Sequence, residues 1–239
     1  MAKAKDPERL LPKKQVDAAY RLLADAMPGR TRTAKGPKDQ PGAFRSCVSC
    51  MLSAQSRDTN TAAASKALFA LTDTPQGILD LPDEKVAEAI KPCGLYNMKT
   101  RNLKKMCAYL IDELDGIVPD DRMGLMSMPG IGRKCADIVM SFHFGEDVIA
   151  VDTHVHRAAN RIGIARGKTE EKTAESLEKR SPDWAMADGH FWLIQFGKKV
   201  CTSRAPKCDT CFLNEICAWY TATGTPPKGK PGYGGVSAG

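Results

Sequence analysis

Residues 121–144 read DRMGLMSMPGIGRKCADIVMSFHF. Apolar residues recur at three- and four-residue intervals on both sides of Met128-Pro129-Gly130-Ile131-Gly132. The spacing therefore predicts a short helix over 121–127, a tight turn, and a second helix over 133–144. Two glycines two apart permit backbone angles closed to other residues. They also expose N–H groups beside a helix start, a geometry that holds phosphate without reading sequence. A G-x-G in isolation equally describes an ordinary turn between helices. Lys134 falls in the first turn of the second helix. The positive helix end and adjacent Arg133 both disfavour an ammonium there, which favours the free amine that a nucleophile needs. An exposed lysine contacting phosphate or solvent is the plainer alternative.

Helical periodicity continues outward in both directions. Residues 14–27 and 97–114 carry apolar stripes, and further helices are predicted over 43–56, 59–71, 82–91, 153–164, 169–180 and 188–200. No segment alternates as a strand should, so the chain reads as all-α. Residues 28–42 are rich in Pro and Gly and read as a linker, and 221–239 as a disordered tail. No run of 18 apolar residues suggests a membrane span, and the basic N-terminus has no apolar stretch of a secretory signal. An intracellular, cytoplasmic location is expected. The formal charge is +7, concentrated partly in residues 1–40, which suits a polyanionic partner and equally describes a basic tail with a solvated face.

Nine cysteines without a secretory signal argue against a disulfide framework. Four of them, Cys201, Cys208, Cys211 and Cys217, follow C-x6-C-x2-C-x5-C. Four thiolates this close suit zinc or an iron–sulfur cluster, and the wide outer gaps are unlike a zinc ribbon. Cys47 and Cys50 lie in an apolar helical run and read as core residues. Cys93, Cys107 and Cys135 are scattered and receive no ligand role. In Val151-Asp152-Thr153-His154, Asp152 precedes a helix. It is suited to capping that helix and also to stabilising positive charge on a sugar ring.

MPGIGRKCADIVM, then AVDTHVHR, then the cysteine loop, together resemble the endonuclease III family of helix-hairpin-helix DNA glycosylases. MLSAQSRDTNT (51–61) and IKPCGLYNMKTRNL (90–103) are also similar to that family, and coverage runs from about residue 14 to 220. The resemblance implies two helical domains with a DNA-binding cleft between them. One is a six-helix barrel with the hairpin over 36–147. The other, over 14–35 and 148–220, holds a [4Fe–4S] cluster on the four cysteines. Residues 1–13 would be a basic flexible tail.

The resemblance further implies a monomeric base excision repair enzyme acting on double-stranded DNA with damaged bases, oxidised pyrimidines above all, or abasic sites. Lys134 would displace the base, form a Schiff base and nick the strand by β-elimination, with Asp152 assisting. Gln55 would fill the hole left by the extruded nucleotide, and Leu95 would wedge into the opposite strand. Gly130, Gly132, Arg133, His154, Arg204 and Lys207 would contact DNA. Three departures from the family pattern stand out: Cys135 where threonine is common, His156 where an apolar residue is common, and a polar AFRSCVSCM segment. Adenine-DNA glycosylases are disfavoured by Lys134 and by the short tail after Tyr220. A non-catalytic iron–sulfur protein would have no reason to carry Lys134 and Asp152 together.

Overall fold

The computed structural model describes residues 9–29 and 39–224. Most of the expected basic tail, most of the 28–42 linker and most of the C-terminal tail lie outside the described residues. Those described are helical, with no strand among them. The helices are α1 (Lys13–Ala26), α2 (Gln40–Ser53), α3 (Asp58–Leu71), α4 (Pro75–Asp80), α5 (Asp83–Ile90), α6 (Tyr96–Leu114), α7 (Arg122–Ser127) and α8 (Arg133–Val139). They continue with α9 (Thr153–Ile162), α10 (Glu170–Arg180), α11 (Asp183–Met186), α12 (Gly189–Lys199) and α13 (Ala218–Thr223). Among the described residues no helix is long and apolar enough to cross a membrane.

The chain divides into two compact units, Thr33–Glu146 and Met1–Arg32 with Asp147–Gly239. The first holds α2 to α8. Asp39 caps α2 by accepting from the Gly42 amide at 2.6 Å, and Pro41 sits in the first turn. Ala43, Phe44, Cys47, Val48 and Met51 then face a core shared with α3, α6 and α8. α2 stops at Ser53, three residues short of the predicted end, because Gln55 takes a left-handed φ of 51°. The predicted helix over 133–144 is α-helical only to Val139. A π-helical turn follows over Met140–Phe144 and places Phe144 in the core.

The second unit packs α1 and α9 to α13 around another core. Val16, Ala19, Tyr20 and Leu23 supply the stripe of α1. Leu11, ahead of that helix, is buried, and its amide donates to the Gly163 carbonyl at 2.9 Å. α9 is buried over its whole run from Val155 to Ile162. It ends at Gly163, where φ is 90° and a Cβ would meet the Ala218 Cβ at 2.7 Å. Such a helix must satisfy its polar side chains internally. His156, the departure from an apolar position, meets Thr173 of α10 at 2.7 Å through Nδ1, and Asn160 donates to the same hydroxyl at 3.0 Å.

One pair of cysteines departs from the expected core or unassigned role. Cys50 of α2 and Cys135 of α8 form a disulfide with Cα atoms 5.7 Å apart, although 85 residues separate them in sequence. Packing of α2 on α8 brings them together, a contact that spacing along the chain cannot announce. Cys47 is a buried core thiol, as expected. Peptide mapping of protein purified without reductant is expected to recover Cys50 and Cys135 in one linked pair. Reduction should then lower the unfolding free energy by about 2–4 kcal/mol. Full alkylation of both thiols before reduction would contradict the bond.

Candidate functional site

The hairpin is built from two short helices. Asp121 caps α7 by accepting from the Gly124 amide at 2.9 Å. Met128 and Ile131 are buried on either side of the Pro129-Gly130 turn. Gly130 has φ 82°, and a Cβ there would come within 2.6 Å of the Met51 methyl. Gly132 differs from expectation: its φ of −89° and ψ of 174° are open to any residue, and a Cβ would meet nothing. Only the first glycine is needed for the turn. No side chain caps α8, so its first N–H groups point out of the helix end. Lys134 is the second residue of α8 and is half-buried.

The carboxylate of Asp137 is buried one turn further on. It receives Arg122 Nε from α7 at 2.7 Å and faces Arg133 Nε at 3.7 Å. The charge of Arg133, expected to meet DNA, is therefore balanced by a carboxylate of its own helix. Asp137 was not singled out in the sequence, where it is one acid in a helical run. Gln55 and Leu95 lie in the same unit, on loops after α2 and before α6. Both are exposed, and both are left-handed without being glycine, at φ 51° and 48°. A broad open groove of about 740 Å³ between α2 and α3, lined by Arg45, Ser49, Lys66, Phe69 and His143 among others, includes none of the expected site residues.

The remaining site residues belong to the other unit. Asp152 caps α9, as its place in the sequence predicts. Its Oδ1 accepts both the His154 amide at 2.9 Å and the Val155 amide at 2.8 Å. One oxygen thus does the capping, and Oδ2 takes no part in it. His154 is half-buried, with Nδ1 3.3 Å from Arg157 Nη2. Burial lowers its pKa; Asp152 opposes that fall, and Arg157 and Lys198 add to it.

Two arginines that the sequence reading missed hold the cysteine loop. Arg157 donates to the Cys201 carbonyl at 3.0 Å and the Gly197 carbonyl at 2.7 Å. Arg161 donates to the Thr202 carbonyl at 2.7 Å, and its Nη1 lies 3.6 Å from the Cys201 sulfur. Their i, i+4 spacing in α9 was the available signal. Arg204 and Lys207 are exposed on the loop.

Cys201, Cys208, Cys211 and Cys217 line one cavity with Ile162 and Phe196. Burial pushes the thiols of Cys208 and Cys217 up to about 11, and that of Cys211 in the same direction. Thiolates persist in such a place only beside bound positive charge. Among the described residues no three His, Cys, Asp or Glu side chains group closely enough to hold a single metal ion. Four cysteine thiolates on one cavity are a donor set that fits an iron–sulfur cluster.

Comparison with known proteins agrees with this geometry. Residues 48–183 match the profile of the HhH-GPD superfamily base excision DNA repair protein, and residues 201–217 match the iron–sulfur binding domain of endonuclease III. Endonuclease III of Rickettsia conorii is 41% identical over 177 residues, covering 74% of this chain and 84% of the relative. The Escherichia coli K12 enzyme is 39% identical over 176 residues, covering 74% and 83%. The fold matches a trapped endonuclease III–DNA covalent intermediate with TM-score 0.78 and 32% identity, over 90% of this chain and all of the other. A non-covalent endonuclease III–DNA complex matches with TM-score 0.77 and 33% identity, over 89% and 98%. The chain belongs to the endonuclease III family of the HhH-GPD superfamily, and it is accordingly a DNA-binding base excision repair glycosylase with abasic-site lyase activity and a [4Fe–4S] cluster.

Proposed function

We propose that this enzyme removes damaged pyrimidines, oxidised ones above all, from duplex DNA through a Schiff base on Lys134, and then cuts the strand 3′ to the lesion. The observation that carries the assignment is the placement of Lys134 as the second residue of α8, directly after the Gly130-Ile131-Gly132 turn. In the first step the Lys134 amine attacks C1′ and the base departs with the glycosidic electron pair. Ring opening gives the iminium, loss of a C2′ proton follows, and the 3′ phosphate leaves by β-elimination. Water then releases the lysine. Asp152 assists base departure and accepts a proton from the amine. Its second oxygen, Oδ2, is outside the helix cap and supports that role.

The Thr33–Glu146 unit acts as the helical domain that carries the hairpin, and the other unit as the cluster domain. Exposed backbone at Gly130 and Gly132, with Arg133, His154, Arg204 and Lys207, holds the phosphates. The extruded nucleotide leaves a gap that Gln55 fills while Leu95 enters the opposite strand. Cys201, Cys208, Cys211 and Cys217 hold the cluster, which supplies a rigid fold to the basic loop and takes no part in the bond-breaking steps. The enzyme works as a cytoplasmic, DNA-associated monomer on damaged or abasic duplexes.

Borohydride added during reaction with abasic-site duplex is expected to trap the wild-type protein covalently. A folded Lys134→Gln variant should give no adduct and keep its DNA affinity, while base removal falls by about 10³-fold or more. An active Lys134→Gln enzyme would place the nucleophile elsewhere. Purified protein should be brown and contain iron and sulfide, with the colour lost in Cys208→Ser; stoichiometric zinc without iron would exclude the cluster.

A further inference from the structure

Lys99 is 6% exposed near the start of α6. Burying an ammonium is costly unless all three of its donors are met. Here they are. Nζ donates to the Leu52 carbonyl at 2.8 Å, the Ser56 hydroxyl at 3.0 Å and the Cys93 carbonyl at 3.2 Å. The Ser56 hydroxyl in turn donates to the Cys93 carbonyl. Leu52 lies in the last turn of α2, Ser56 directly follows Gln55, and Cys93 ends the 3-10 turn two residues before Leu95. One cation therefore ties the roots of both loops.

The two loops share a second property. Gln55 and Leu95 are both left-handed at φ 51° and 48°. Residues with side chains hold that conformation only where their surroundings over-determine it. The three carbonyl and hydroxyl contacts of Lys99 provide such surroundings on both sides. The result is a pair of exposed side chains, Leu95 at 53%, on loops anchored through the buried residues Leu52 and Cys93. Burial lowers the pKa of Lys99, which disfavours the ammonium, and the three acceptors around Nζ oppose that cost.

We propose that Lys99 is a positioning residue for base extrusion, locking the Gln55 and Leu95 loops into a single rigid wedge so that both side chains enter duplex DNA together. The proposal rests on the assignment of Gln55 as gap filler and Leu95 as wedge. Its advantage is preorganisation: the ordering cost of two loops is met in the fold before DNA arrives, so it is not charged to the extruded state. A lysine that merely supported the core would affect thermal stability and leave the two side chains as independent as before.

The test is a double-mutant cycle in single-turnover base excision on a lesion-containing duplex, using Gln55→Ala, Leu95→Ala and the double variant, in wild-type and Lys99→Met backgrounds. In the wild type the loss in the double variant should differ from the product of the single losses by about tenfold, the mark of coupled residues. In folded Lys99→Met the losses should multiply to within about twofold. The excision rate of Lys99→Met should also fall more than its affinity for an abasic duplex. Undiminished coupling in folded Lys99→Met overturns the proposal. If that variant does not fold, Ser56→Ala removes the hydroxyl shared by the ammonium and the Cys93 carbonyl. Coupling should then drop to about threefold, and coupling that stays near tenfold overturns the proposal. Wild-type activity in both single variants would sink the wedge assignment itself and the proposal with it, a different pattern from preserved coupling.

Discussion

The buried carboxylate of Asp137 joins α7 to α8 by accepting Arg122 from one helix while facing Arg133 on the other. The hairpin depends on such a link. Helices of six and seven residues are not stable alone, and the turn between them contributes only the buried side chains of Met128 and Ile131. Removing one partner of a buried pair leaves an uncompensated charge at a cost of about 3–5 kcal/mol. Lys134 rides on the same turn of α8. Whatever fixes Asp137 and Arg133 also fixes where the lysine leaves the backbone. The Cys50–Cys135 disulfide ties this helix to α2 from its neighbouring position.

The second unit applies the same economy to one buried helix. α9 begins at Asp152, whose Oδ1 caps it, and carries Arg157 and Arg161 into contact with the cysteine loop. Proposed acid and cluster loop are therefore linked through ten residues of one helix. The loop has little regular structure, so the arginine contacts to Cys201, Thr202 and Ser203 carbonyls define its path. Cys201, Cys208, Cys211 and Cys217 would hold the cluster on this loop.

Much of this was legible in the sequence because the signals are local. Apolar stripes marked the longer helices, the Asp152 cap could be read from its place before a helix, and the cysteine spacing already pointed away from a zinc ribbon. What escaped was short or long-range. α4, α11 and α13 have four to six residues, too few for periodicity to register. The disulfide joins positions 85 residues apart. Gln55 ended α2 early through a backbone angle that no residue preference suggests. Arg157, Arg161 and Lys99 carry no local signal, because burial of a cation is decided by carbonyls elsewhere in the chain. Gly132 illustrates the converse: the motif suggested strained backbone, and the backbone there is ordinary.

The central claim is that one particular amine forms the covalent bond to the sugar. The most direct measurement is proteolysis and mass spectrometry of the borohydride-trapped protein–DNA complex after nuclease digestion. A sugar remnant is expected on the peptide bearing Lys134 and on no other. A remnant on Lys99, on another lysine or on the N-terminal amine, with the Lys134 peptide unmodified, would contradict it.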